Sequence, residues 1–282
     1  MDISNIIIQG PLEKIEKIPL DKLLDALNVT RDTEILPDSH ILKVWNILKK
    51  EKGLNSLEVK DLERIGEFIH AIPDSDLFYL NMTNWDVVEY LGTVTKMNNH
   101  KVAILAAALI NAHGLEILRN HSSINRIFGI LCGFDVGVVN NIPDEEFLLI
   151  DGEIFNHLQT CSMYRTRNLL DKATKSTVFG PPQVWDANTV KKANMLMLAL
   201  TPKELVSIRP PAISGMKSEI IQLMSMELIQ ALNTKQITKL STEAYLIYKQ
   251  KTYLSSKDVY YKSNIKCNMF MLTLILMQYR YV

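Results

Sequence analysis

Six histidines and a short run of carboxylates carry the side chains best suited to acid–base or metal chemistry. His113 and His121 could share one helix face and hold a metal ion together. Gly114 and the stretch Asn120-His121-Ser122-Ser123 instead place a break between them, and no His-Glu-x-x-His occurs. Asp144-Glu145-Glu146, followed by Asp151 and Glu153, offers oxygen ligands for calcium but lacks the alternating Asp loop that ends in Gly. The run follows Pro143, as Asp74 and Asp76 follow Pro73, so these acids read as residues that favour the positive end of a helix. Gly-x-Ser-x-Gly, the Walker loop and the dinucleotide fingerprint are absent. The expectation is no catalytic residue, no metal site and no cofactor.

Cys132, Cys161 and Cys267 are widely spaced, with no Cys-x-x-Cys, which argues against zinc and against a dense disulfide framework. One disulfide between Cys132 and Cys161 and three buried free thiols are the two readings left open. Asn28-Val29-Thr30, Asn81-Met82-Thr83 and Asn120-His121-Ser122 are N-glycosylation sequons, informative only in a secreted chain. Tyr and Lys alternate over Tyr245, Tyr248, Lys249, Lys251, Tyr253, Lys257, Tyr260, Tyr261 and Lys262, a composition that can stack on and neutralise nucleic acid. Lys+Arg and Asp+Glu are both 31, however, so the chain carries no net charge and a solvated amphipathic helix is favoured. No nucleic-acid partner is expected.

The residues Met1-Asp2-Ile3-Ser4 lack the basic start of a signal peptide, and Ile6-Ile7-Ile8 is too short for its apolar stretch. The expectation is a cytosolic protein, or an internal piece of a longer secreted one. Met269–Met277 is strongly apolar but shorter than a spanning helix. Ser255-Ser256 ahead of it would suit a lipid-anchor signal, and a terminal buried helix is the favoured alternative.

The elements that position these groups read as helices throughout. Only 11 glycines occur, and Asp151-Gly152 is the single hairpin-type pair, so β-hairpins are disfavoured. Pro19, Pro37, Asn55 and Pro73 are evenly spaced along the chain. Each follows an apolar residue (Ile18, Leu36, Leu54, Ile72), with further apolar residues four and seven positions on: Leu23 and Ala26, Ile41 and Val44, Val59 and Leu62, Leu77 and Leu80. Looser units start at Pro143, Asp186, Thr201, Lys217 and Asn233, the last four at slightly shorter and nearly equal intervals. Pro fits the first helical turn, and Thr, Asn or Asp caps it. Apolar residues at such spacings share one helix face. Each unit is therefore predicted to be a helix of about 9–13 residues, too short to stand alone, that buries its stripe on its neighbour in chain order.

The predicted organisation is regular short-helix repeats over 1–99, central buried helices over 100–180, short-helix repeats over 181–250 and an irregular tail over 251–282. Val102–Leu118 is Ala- and Leu-rich and reads as a buried helix. Ile124–Val139, with Gly129, Gly133 and Gly137 at every fourth position, reads as a tightly packed one.

The stretches Ile142-Pro-Asp-Glu-Glu-Phe147-Leu148-Leu149-Ile150, Gly180-Pro-Pro-Gln-Val-Trp185, Ala199-Leu-Thr-Pro-Lys-Glu-Leu205-Val-Ser-Ile208, Pro211-Ala-Ile-Ser-Gly-Met216 and Leu240-Ser-Thr-Glu-Ala-Tyr245 resemble the mesothelin–stereocilin–otoancorin superfamily, in which units of the Leu-Thr-Pro-Glu-x-Leu kind recur. The resemblance is best over about 140–250 and extends over 1–90. It implies an all-α fold, a right-handed superhelical, armadillo-like stack of short helices. It also implies a non-enzymatic role at the cell surface or outside the cell. Members attach cells to matrices or to other cells, as in the inner ear, and several are lipid-anchored. The expected partner is thus a protein or extracellular-matrix component, with membrane association through a lipid anchor outside or at the end of this chain. Glycans on Asn28, Asn81 or Asn120 would accompany that role. The absence of a signal peptide and the few cysteines depart from the family. The alternative function is an intracellular helical-repeat scaffold that grips a protein partner.

Overall fold

A computed structural model describes residues 3–30, 36–95 and 97–254. The protein is all-α: every regular element among these residues is an α-helix or a short 3₁₀ helix. The chain forms two compact units, Met1–Pro181 with Lys192–Ala199, and Pro182–Lys191 with Leu200–Val282.

Helix starts follow the local chemistry of the sequence. Pro37, Pro73 and Pro143 are extended residues placed directly before helices that begin with Asp38, Asp74 and Asp144. Elsewhere a side chain closes the first turn. The Asn98 Oδ1 accepts from the Lys101 N–H at 2.9 Å, and the Asp135 Oδ1 accepts from the Val138 N–H at 2.9 Å. Thr201 and Glu204 cap each other reciprocally, as do Asn233 and Gln236. Each such cap is worth about 1 kcal/mol. The unit expected to begin at Asn55 starts later, because Asn55 lies in a 3₁₀ turn and Glu58 precedes the helix Val59–Ile65.

Several expectations are corrected. The helix predicted across Ile124–Val139 is three pieces, His121–Ile127, the 3₁₀ segment Phe128–Gly133 and Val136–Asn140. Phe128 takes a left-handed φ of 45°, which ends the first helix, and the Asp135 cap starts the last. Close approach explains Gly133, where a Cβ would collide with the Val102 carbonyl and lie 2.6 Å from the Ala106 Cβ. The buried helix predicted over Val102–Leu118 runs Asn99–His113 and stops at Gly114, which has a φ of 73°.

A further correction concerns length and period, because the segments of the second unit from Pro202 to Ile237 run 4 to 6 residues and not the expected 9–13. In the second unit, Thr201, Arg209, Lys217, Ser225 and Asn233 each precede a short helical segment. The starts therefore recur at every eighth position, half the interval expected from Thr201, Lys217 and Asn233 alone. Two positions of each octet form the core. Leu205, Ile213, Ile221 and Ile229 are fully buried, and Ile208, Met216, Met224 and Leu232 are at most 5% exposed. Helix Pro202–Ser207 packs on Met226–Ala231, and Thr234–Ile237 packs on Pro210–Gly215.

In the first unit the contacts alternate. Ile3–Gln9, Leu20–Thr30, Val59–Ile65, Trp85–Thr93 and His121–Ile127 each pack on the next of that row. A second row pairs Leu12–Ile15 with Asp38–Lys52, and Asn99–His113 with both Asp74–Phe78 and Phe128–Gly133. Trp45, fully buried, donates from Nε1 to the Asp76 Oδ2 at 2.7 Å, which also takes the Lys49 Nζ at 2.8 Å.

Candidate interaction surface and its clasps

Helices this short leave most of their terminal carbonyls without an internal partner. Here long side chains supply missing donors from distant parts of the chain, one set of them at sequence separations of 27 to 32 and others at 25 or at 42 to 44. The His40 Nε2 donates to the Gly10 carbonyl at 2.8 Å and the Tyr90 hydroxyl to Leu62 at 3.1 Å. Lys101 reaches the Ile72 carbonyl and the Asp74 carboxylate, and Lys172 reaches the Ile142 carbonyl and the Asp144 carboxylate. Arg165 donates to the carbonyls of Gly133 and Phe134. In the second unit the Gln236 Nε2 donates to Leu205 and Ile208, both at 2.9 Å. The Lys251 Nζ donates to Ile221, Gln222 and Met224 at 3.2, 2.7 and 2.6 Å.

Cys132 and Cys161 fall into the same pattern. They form a disulfide with Cα atoms 5.6 Å apart and a sequence separation of 29. Cys132 is buried and Cys161 half-buried. The bond thus joins the same kind of neighbours that the polar clasps join elsewhere.

The carboxylates singled out above are clasp and cap residues. Asp144 holds Lys172 and Thr177, whose hydrogen bonds keep its carboxyl below the usual range. Glu146 accepts from both the backbone N–H and the ring of His121, with the same effect. Asp151 caps its own turn by accepting from the Glu153 N–H at 3.0 Å. Asp74 faces Lys101 and His100. Among the described residues no group of three His, Cys, Asp or Glu side chains could hold a metal ion. His113 closes its helix onto the Met82 carbonyl at 2.8 Å, whereas His121 begins a separate helix.

The sequons occupy surface positions. Asn28 is exposed near the end of helix Leu20–Thr30. Asn81 is half-buried, and its Oδ1 accepts from the Thr83 hydroxyl at 2.6 Å. Asn120 is exposed and caps the helix His121–Ile127 through Ser122. The Trp85 ring lies 4.9 Å from His113, with the Arg126 guanidinium 5.0 Å over it. These contacts place the turn that carries Asn81 against the end of the helix that leads to Asn120.

Models of known protein families match no part of the chain, and no curated protein is significantly similar to it. The Tyr245 and Tyr248 rings stack at 6.5 Å with the Lys249 ammonium 4.9 Å over Tyr245, so this aromatic–basic pattern is satisfied within one helix. Of the tail expected over 251–282, residues 251–254 continue the helix 242–254, and Lys257, Tyr260, Tyr261, Lys262, Cys267 and Met269–Met277 lie outside the described residues. Among the described residues no helix is long and apolar enough to cross a membrane.

The clasps themselves escaped sequence reasoning. Their one visible signal is the repeated Ile-Pro-Asp of residues 72–74 and 142–144, answered by Lys101 at a separation of 29 from Ile72 and by Lys172 at 30 from Ile142.

His157 gives the first unit a titration of its own. Burial pushes its imidazole below the ordinary value, against a smaller upward pull from Glu153, and Phe128 packs edge-on at 4.9 Å. The unfolded chain therefore takes this proton first, so stability is expected to fall as pH drops below about 6.5. The depressed carboxylates add a second loss below about pH 4.5, where the unfolded state binds more protons. A His157→Gln variant should lose the upper limb and keep the lower one in melting curves from pH 8 to 3. Identical limbs in both proteins would refute the assignment.

Proposed function

We propose that this chain is a non-enzymatic adhesion protein of the cell surface or extracellular space. In this reading its short helices coil into a right-handed, armadillo-like superhelix, and the faces of that stack bind a protein or matrix partner. The observation that carries it is a set of clasps that recurs at sequence separations of 27 to 32, with a disulfide at 29 among them. A chain that ties segment after segment to earlier ones at a recurring displacement builds a repeating scaffold with broad surfaces and no need of a deep pocket. Disulfides persist in oxidising compartments, which favours the outside of the cell. The surface position of Asn28 and Asn120, and the resemblance of the 140–250 units to the mesothelin–stereocilin–otoancorin superfamily, point the same way.

The test is expression behind a signal peptide in secreting cells. The expected product is secreted, shifts in mobility on endoglycosidase treatment through at least one of Asn28, Asn81 and Asn120, and yields a Cys132–Cys161 peptide pair on non-reducing digestion. Retention in the cell with no glycan and free thiols at both cysteines would defeat this reading in favour of an intracellular scaffold.

A further inference from the structure

The sequon at Asn81 differs from the other two in the residue that stands two positions before it. Ala26 precedes Asn28 and Leu118 precedes Asn120 by that interval, and both are buried. Tyr79 precedes Asn81, and it is 62% exposed. The residues in between turn the other way. Leu80 and Met82 are at most 5% exposed, whereas Tyr79 and Thr83 are exposed and Asn81 is half-buried. This alternation puts Tyr79, Asn81 and Thr83 on the outer side of one turn.

The turn is held from within. The Met82 N–H donates to the Leu80 carbonyl at 2.8 Å, and the Asn84 N–H donates to the Asn81 carbonyl at 3.2 Å. His113, at the end of helix Asn99–His113, closes on the Met82 carbonyl and anchors the turn to that helix. The Phe78 ring meets the Tyr79 ring edge to face, with centroids 5.4 Å apart and an interplanar angle of 90°. The Asn81 carboxamide takes the Thr83 hydroxyl on Oδ1 at 2.6 Å. An N-linked glycan is joined to Nδ2, so modification leaves this hydrogen bond in place.

We infer that Tyr79 is the platform on which the first sugar of an N-linked glycan at Asn81 docks, and that this contact stabilises the first unit. A pyranose ring offers a face of C–H groups with partial positive charge, and the face of an aromatic ring is negative. Stacking the two also removes apolar surface from water. The sugar is tethered two residues from the ring, so the contact is intramolecular and a weak attraction keeps it populated. The held turn has little freedom left to lose on docking. The inference rests on the secreted reading above, since only a chain on the secretory route receives the glycan.

The full chain, secreted from cells that make only high-mannose glycans and trimmed to one N-acetylglucosamine per modified Asn, tests it. Peptide mass spectrometry is expected to find the sugar on Asn81. In the unsubstituted chain its ring protons should show the upfield shift that an aromatic face imposes in nuclear magnetic resonance. Tyr79→Ala should abolish that shift and Tyr79→Phe should keep it. The amides of helix Trp85–Thr93, which follows the turn, should exchange about fivefold more slowly than in Asn81→Gln, the factor that burying about 40 Å² of apolar surface produces. The Tyr79→Ala background should remove that difference. Glycans on Asn28 or Asn120 with Asn81 bare would overturn the inference and leave the adhesion reading standing. So would a sugar on Asn81 with unshifted ring protons, or with the same exchange protection in Tyr79→Ala. A chain retained in the cell without any glycan would overturn both.

Discussion

Replacing Lys172 by methionine is expected to lower the unfolding free energy by about 2–3 kcal/mol, since it strips partners from a buried carbonyl and a carboxylate. Lys172 is 2% exposed, and its ammonium bonds both the Ile142 carbonyl and Asp144. Methionine keeps the stem and removes the donor. The Ile142 carbonyl then loses its clasp, while Asp144 keeps Thr177 and, at 3.8 Å, Lys175. That residual pairing and its partial exposure hold the loss below the full value for a broken buried ion pair. The carboxyl of Asp144 sits below the usual range chiefly because of Lys172. Its contribution is present above the ordinary carboxylate pKa and is lost as pH falls through the lower folded value. The acid limb of the variant should therefore be shallower than that of the native chain. Urea titrations at pH 7 and pH 4 measure both effects. A variant within about 0.5 kcal/mol of the native protein at pH 7 would mean that the clasp contributes little.

Removing the disulfide should have an effect of similar or larger size. The bond between Cys132 and Cys161, at a sequence separation of 29, restricts the unfolded chain by about 3–4 kcal/mol in the chain-entropy description. The enclosed segment holds helices Val136–Asn140 and Asp144–Leu149 and the 3₁₀ stretch Gly152–Thr160. It is clasped independently by Lys172 to Ile142, by His121 to Glu146 and by the Asp151 N–H to the Asn125 Oδ1 at 2.9 Å. Reduction should therefore lower the denaturation midpoint without melting these helices at room temperature. The double variant Cys132→Ala/Cys161→Ala should match the reduced native chain in urea and keep its far-ultraviolet dichroism. Equal midpoints for the oxidised and reduced protein would show that the bond adds nothing to stability. Loss of helix on reduction would show that the polar clasps cannot hold the segment without it.

The octets show why one part of the second unit was legible and another was not. Thr201, Asn233 and the acids after Pro143 announce helix starts, because a cap or a dipole contact involves residues only two or three positions apart. Starts read at Thr201, Lys217 and Asn233 alone give twice the true period, since Arg209 has no capping side chain of the Ser, Thr, Asn or Asp kind. The structure places helical segments after Arg209 and Ser225 as well, where Ala212, Ile213, Leu228 and Ile229 must be buried. Ile124–Val139 failed for a related reason. Its apolar residues satisfy a helical period, but Phe128 takes a left-handed φ and Gly133 lies against the Val102 carbonyl, a contact its chain neighbours do not announce. The candidate surface was legible only as single residues: three sequons and a cysteine pair with no stated neighbours.

The all-helical class, the starts after Pro37, Pro73, Pro143, Thr201 and Asn233, and the apolar positions at four and seven residues from each were legible from residue types and spacing alone. All of these follow from interactions between residues at most two helical turns apart. Only the tertiary structure decided which segment hides which face, because Lys172, Gln236, Lys251 and the Cys132–Cys161 pair act on groups at sequence separations of 27 to 31. At that range no period of helix or strand links donor to acceptor, and the side chains that clasp have the same composition as those left in solvent.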